Sequence, residues 1–241
     1  MSVTQDAVLA QTHPEERDLP PTAQEGALRA LYAHEPGVVR LGLIQSADGK
    51  AAGPDGSSRS LNGPEDLRVL RVLRANADVV VVGGRTTRGE RYRDVAVPAE
   101  FAIQAATSLP GPDLAIVTYT GVIPEELSPE RTWIVTTSSA PAATASSSAW
   151  ADRILVTGDD SIDPDLLREA LAARGLARVL CEGGPELAHL FVKHDAIDDY
   201  CLTTSNRMGG LSAPKVPAVP AHMQLTHRLK GGGFVMERFS R

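Results

Sequence analysis

Residues 78–84 read D-V-V-V-V-G-G, four β-branched residues between an aspartate and a pair of glycines. A strand with one wet face would carry a polar residue at every second position. This run does not, so it suits a strand buried on both faces, as in a parallel sheet covered by helices. Working outward, the preceding stretch 61–75, L-N-G-P-E-D-L-R-V-L-R-V-L-R-A, has helical spacing at Leu67, Val69, Leu70 and Leu73. Asn62 is placed to cap it and Pro64 fits its first turn. Further strands are predicted at 38–44, 114–118, 132–137, 153–157 and 177–182. A helix follows Asp163, which caps it, and ends at Gly175; a second starts at Pro185. The tail carries two more strands, near 199–204 and 233–239, with no helix between them.

Strands alternating with helices predict an α/β layered fold. We expect a mostly parallel central sheet, an antiparallel C-terminal edge and helices on both faces. Residues 1–35 read as an N-terminal arm, loose over 1–22 with a short helix at 24–33, and 36–241 as one domain.

The chain has 241 residues, 42% hydrophobic and 22% charged, ample for a core of its own. Its net charge of -6 and its 4% aromatic content argue against phosphate-led nucleic-acid binding and against base-stacking platforms. The two cysteines, Cys181 and Cys201, sit in strand-like runs and form no thiolate metal site. The six histidines show no metal-binding spacing, so no metal is expected. The N-terminus lacks a signal-peptide core, and no apolar run approaches the roughly 18 residues of a membrane span, so a cytoplasmic protein is expected.

Three stretches carry chemistry. The first is V-L-C-E-G-G-P-E-L, 179–187, where a strand runs through Glu182, Gly183, Gly184 and Pro185 into a helix. Glycines let a ligand approach the backbone, and a helix N-terminus favours phosphate. A tight turn with Glu182 as a cap accounts for the same residues equally well. The second is G-G-R-T-T-R-G-E-R-Y-R, 83–93, in which Arg85, Arg88, Arg91 and Arg93 crowd beyond a buried strand. Ligands of open α/β sheets sit at such strand tips, and arginine holds phosphate bidentately. The third is S-A-D-G-K, 46–50, whose Asp48 and Lys50 either anchor a loop or orient a polar ligand. No G-x-G-x-x-G, P-loop or nucleophile-elbow motif occurs.

S-A-D-G-K, G-S-S-R-S-L, V-L-R-A-N-A-D-V-V-V-V-G-G-R-T-T-R-G-E-R-Y and L-C-E-G-G-P-E-L follow one another over roughly 38–240. In this the chain resembles the reductase domain of riboflavin biosynthesis, the NADPH-dependent 5-amino-6-(5-phosphoribosylamino)uracil reductase, in stand-alone form. That family's fold is similar to dihydrofolate reductase. The resemblance implies that Ser58 contacts substrate, that Arg74 binds its phosphate, and that Glu182 is an acid facing it; one arginine of the 85–93 cluster, Arg91, is expected to join Arg74 on that phosphate. It implies cofactor contacts at Ile44, Thr86, Glu90 and Gly183, Gly184, Pro185, Glu186 and Leu187. Gly83, Gly84, Arg88 and Thr118, at the tips of the strands 79–83 and 114–118, are assigned to the cofactor as well. Asp48, Lys50 and Glu182 are the candidate catalytic groups. Three departures lie near the ligands: Ser60 where many members have tryptophan, G-E-R-Y-R in place of Asp-Asp-Pro, and Asn206 where proline is common.

The expectation is an NADPH-dependent reductase that turns a phosphoribosylamino-pyrimidine into its ribitylamino form by hydride transfer to sugar C1. A dihydrofolate or pterin reductase on the same fold is one alternative. A nucleotide-binding protein without turnover is another. The family suggests a homodimer whose partners are small molecules, with neither nucleic acid nor membrane.

Overall fold

The computed structural model describes residues 7–90, 92, 95, 97, 101, 111–120, 122, 127–140 and 148–241. Eleven strands form one sheet: β1 (Leu9–His13), β2 (Arg17–Leu19), β3 (Val39–Gln45), β4 (Val79–Gly83), β5 (Asp113–Val117), β6 (Thr132–Thr136), β7 (Ile154–Val156), β8 (Val179–Gly183), β9 (Asp199–Ser205), β10 (Gln224–Gly231) and β11 (Phe234–Ser240). The order is β2-β1-β10-β11-β9-β3-β8-β4-β5-β6-β7. From β9 to β7 all pairs are parallel, and from β9 outward to β2 all are antiparallel.

The valine run does what its composition demands. Val79 and Val81 face one core, with Leu167 and Leu171 of α4 (Pro164–Ala172) and Leu187 and Phe191 of α5 (Pro185–Lys193). Val80 and Val82 face the other, with Leu28 of α1 (Gly26–Leu31) and Val69, Val72 and Leu73 of α2 (Pro64–Ala75). All four valines are 0% exposed, so period-two alternation feeds two apolar layers instead of one. Asp163 caps α4 through bonds from the N–H groups of Asp165 and Leu166, as expected. Asn62 does not cap α2: Gly63 is the capping residue and makes no side-chain bond.

The N-terminal residues depart from the expected loose arm. β1 pairs with β10, and β2 with β1, so the C-terminal hairpin is interior and residues 9–19 form the sheet edge. The anchor is Arg68 of α2, whose guanidinium bonds the Glu25 carboxylate at 2.6 Å and the carbonyls of Ala7, Leu19 and Pro20. A buried arginine needs all its donors met, and these residues meet them. β10 also went unread, because His227 and Arg228 interrupt its apolar alternation; His227 is nonetheless buried against Tyr32.

One feature of the sheet positions the site. β3 and β8 pair only from Val39–Val179 to Leu41–Cys181, while β3 continues along β9 to Gln45–Thr204. Beyond Leu41 the two strands part. α2 leads from β3 to β4 in the layer on one face, and α5 leads from β8 to β9 in the layer on the other. Such a switch point at the carboxyl ends of parallel strands is where open α/β sheets bind ligands. Among the described residues no helix is long and apolar enough to cross a membrane, and no cluster of histidine, cysteine, aspartate or glutamate is placed to hold a metal.

Candidate active site

A cavity of about 890 Å³ opens where β3 and β8 part. Gly42, Leu43 and Ile44 of β3 line it, as do Glu182 and Gly184 at the tip of β8. Asp66, Val69 and Leu73 of α2 close it on one side, and Pro185, Leu187 and Leu190 of α5 on the other. The tip of β4 and α3 (Gly84–Gly89), the segment 117–120, and Thr203 of β9 complete the wall.

The glycine turns meet here. Gly183 has φ +86°, a conformation that favours glycine, and is joined to Gly184 by a cis peptide. A Cβ on Gly184 would come within 2.5 Å of Thr86 Oγ1, which accepts a hydrogen bond from the Gly184 N–H at 3.0 Å. The backbone thus reaches the cavity wall bare of side chains, where α5 begins. Gly84, Thr86, Arg88 and Thr118 all line the same wall.

Glu182 is neither a cap nor exposed. Arg74 donates Nε and Nη2 to its two carboxylate oxygens at 2.6 Å each, and the Tyr92 hydroxyl donates at 2.7 Å. The Glu182 side chain is 5% exposed and that of Arg74 19%. Burial works against the Arg74 charge, but Glu182 outweighs it and the guanidinium pKa ends above its ordinary value. Burial, with Glu182 beside it, pushes the Tyr92 hydroxyl well above the usual phenol range. Cys181, one residue back, is raised to about 12 by burial. It is an inert core thiol.

Ser58 and Glu90 lie together. The Glu90 carboxylate accepts from the Ser58 N–H at 3.0 Å and the Ser57 hydroxyl at 3.0 Å, and pairs with Arg59 at 2.9 Å. It therefore ties the loop after β3 to the end of α3. Ser60 donates to Asp55 at 2.6 Å.

Asp48 and Lys50 stand apart from the cavity. Asp48 accepts from the Ser46 hydroxyl at 2.7 Å and the Gly209 N–H at 2.8 Å, bonds that lower its pKa. Lys50 donates to the carbonyl of Ala213 at 3.0 Å. Both hold the segment that follows β9, the loop-anchoring role of the two open from sequence. Arg74 likewise is turned to Glu182 and does not line the cavity. Arg91 lies outside the described residues.

Three site groups had no signal in the sequence reading. Tyr92 sits within a motif dominated by arginines. Asp66 and Thr203 are brought together by the fold: Asp66 is 6% exposed and Thr203 also 6%, and Thr203 favours the charged form of the carboxyl. Burial raises Asp66 to about 6, with Thr203 opposing and Glu182 reinforcing the rise.

The chain is similar to several known proteins. A 2,5-diamino-6-ribosylamino-4(3H)-pyrimidinone 5′-phosphate reductase from Methanothermobacter thermautotrophicus is 28% identical over 167 residues, 67% of this chain and 74% of that one. The crystal structure of a pyrimidine reductase-like protein from Corynebacterium diphtheriae superposes with a TM-score of 0.73 at 22% identity, over 91% of this chain and 98% of that one. Dihydrofolate reductase from Enterococcus faecalis, solved with NADP(H), gives a TM-score of 0.51 at 15% identity, over 86% and 98%. The fold is dihydrofolate-reductase-like. Residues 38–230 match the family model described as the RibD C-terminal domain, and the chain belongs to that family.

Proposed function

We propose that the protein is an NADPH-dependent reductase that converts a phosphoribosylaminopyrimidine to its ribitylamino form, a step of riboflavin biosynthesis. The observation that carries this reading is the meeting of the Gly183–Gly184 turn and the Glu182 carboxylate on one cavity at the switch point. The side-chain-free turn and the first turn of α5 fit a pyrophosphate. Arg85 and Arg88 on the same wall fit a 2′-phosphate. Ile44, Thr86, Thr118 and Leu187 line the remaining cofactor path. When bound, the nicotinamide supplies hydride to C1 of the opened sugar. The chain supplies position, a dry site and charge.

The test is absorbance loss at the nicotinamide band with purified protein, NADPH and either the ribosylaminopyrimidine 5′-phosphate or dihydrofolate. Turnover with the ribosylaminopyrimidine supports the reading, and NADPH binding without oxidation of either substrate sinks it. A second reading, a pterin or dihydrofolate reductase, is favoured by one observation. Arg74 is committed to Glu182, which removes one phosphate anchor from the cavity. Turnover with dihydrofolate alone would select it.

A further inference from the structure

We propose that Asp66 is the acid that protonates the ribose ring oxygen as the sugar opens; the inference rests on the ribosylaminopyrimidine reading above. Six carboxylates line the cavity: Asp55, Asp66, Glu90, Glu182, Glu186 and Glu237. Four of them are ion-paired: Glu90 with Arg59, Glu182 with Arg74, Glu186 with Arg85 and Glu237 with Arg228. Asp55 accepts from the Ser60 hydroxyl and the Ser57 N–H, bonds that lower its pKa. Asp66 has neither an ion pair nor such a pair of donors among the described residues; Thr203 alone favours its charge.

The groups facing Asp66 leave it poised to carry a proton. From β8 Glu182 disfavours its charge, and Glu182 itself is held by Arg74 and Tyr92. Tyr32, beyond α1, feels the Asp66 charge and is itself buried with a raised pKa. Val69, Leu73, Cys201 and Met236 give the same cavity an apolar wall. Two carboxyl groups on one cavity thus sit in opposed environments, one paired and one desolvated, which is how sites divide acid from electrostatic roles. With its pKa raised to about 6, Asp66 still carries a proton in part of the population near neutral pH.

The chemistry balances. In the closed sugar C1 is bonded to the exocyclic nitrogen and to the ring oxygen. The nitrogen lone pair forms the C1=N bond, the bond from C1 to the ring oxygen breaks, and its electron pair takes the Asp66 proton. Opening leaves an iminium at C1 and a carboxylate at Asp66. Hydride from the dihydronicotinamide reduces the iminium to the secondary amine, and Asp66 recovers a proton from solvent. One proton is consumed per turnover.

Ring opening can be read without any cofactor, because the α and β anomers of a ribosylamine interconvert through the same open form. The probe is 2,5-diamino-6-ribosylamino-4(3H)-pyrimidinone 5′-phosphate, and anomer exchange at C1 is followed by proton NMR with NADPH absent. Wild type should accelerate exchange, more strongly below pH about 6 than above it. Asp66→Asn should lose on the order of 10²-fold of that acceleration, with NADPH affinity by fluorescence intact. Thr203→Val removes a hydroxyl that favours the charged carboxyl, so its acid limb should move to higher pH while exchange persists. Wild-type exchange by Asp66→Asn overturns the proposal, as does wild-type exchange that rises with pH, an unmoved limb in Thr203→Val, or a loss confined to probe affinity. If wild type oxidises NADPH with the probe and Asp66→Asn does so equally well, this inference alone falls. If wild type neither exchanges nor reduces the probe, the substrate reading falls with it.

Discussion

β4 and β8 are parallel neighbours that both end in a glycine pair and both feed a helix, yet their tips are built differently. At the tip of β4, Gly83 has φ -72°, an ordinary conformation, and a Cβ there would make only van der Waals contacts from 3.7 Å. At the tip of β8, Gly183 has φ +86° and a Cβ would approach Leu43 to 3.2 Å. The register also shifts: Val81 pairs with Cys181, but Val82 pairs with Gly183, so Glu182 is an extra residue on β8. On Leu180's face of the strand, where β4 keeps valine, β8 thus places an acid against Arg74. The difference teaches that the first glycine of one Gly-Gly can be replaceable while its look-alike next door is demanded by geometry. A bulge at a strand end is a common way to make that difference beside a site.

Breaking the β8 tip should have the largest effect. Arg74→Ala leaves the Glu182 carboxylate buried without its cation and should cost about 3–5 kcal/mol in urea unfolding. A cost below that of a surface pair would show that Glu182 turns to water. Gly183→Ala should cost about 1–3 kcal/mol by the same measurement, because a side chain must adopt positive φ. Thr86→Val cuts a hydrogen bond between the two tips; it should cost about 0.5–1.5 kcal/mol and weaken NADPH binding measured by fluorescence titration. Gly83→Ala sharpens the contrast from the other side. It should change stability by less than about 0.5 kcal/mol, as substitutions without strain or lost partners do. Equal losses from Gly83→Ala and Gly183→Ala would dissolve the comparison.

Much of this was legible in the chain itself. The valine run announced a two-faced strand because nothing polar interrupts it, and Asp163-Pro164 announced a helix start because capping is local chemistry. The Gly183–Gly184 turn was legible as a turn, but whether Glu182 capped it or faced a ligand depended on Arg74, on a helix remote in sequence. Asp66 shows the limit most clearly. Within its helix it reads as an acid of the first turn, where the dipole welcomes one. What makes it a cavity group is Thr203 on β9, a partner no local pattern names. The N-terminal strands hid for a similar reason. β1 contains Gln11 and Thr12 and lacks apolar alternation; pairing with β10 and the carbonyl bonds of Arg68 make it a strand. Asp48 and Lys50 were legible as a strand-tip pair, and the contacts they make clasp the segment after β9.

The parting of β3 and β8 beyond Leu41–Cys181 has a kinetic meaning. The cavity touches both helix layers, at Val69 and Leu73 on one side and Leu187 and Leu190 on the other. Two ligands that meet between these strands would rest on different helices, and neither would cover the other's seat. Such an architecture favours random-order addition: each ligand should bind in the absence of the other, and each product should compete only with the ligand whose seat it shares.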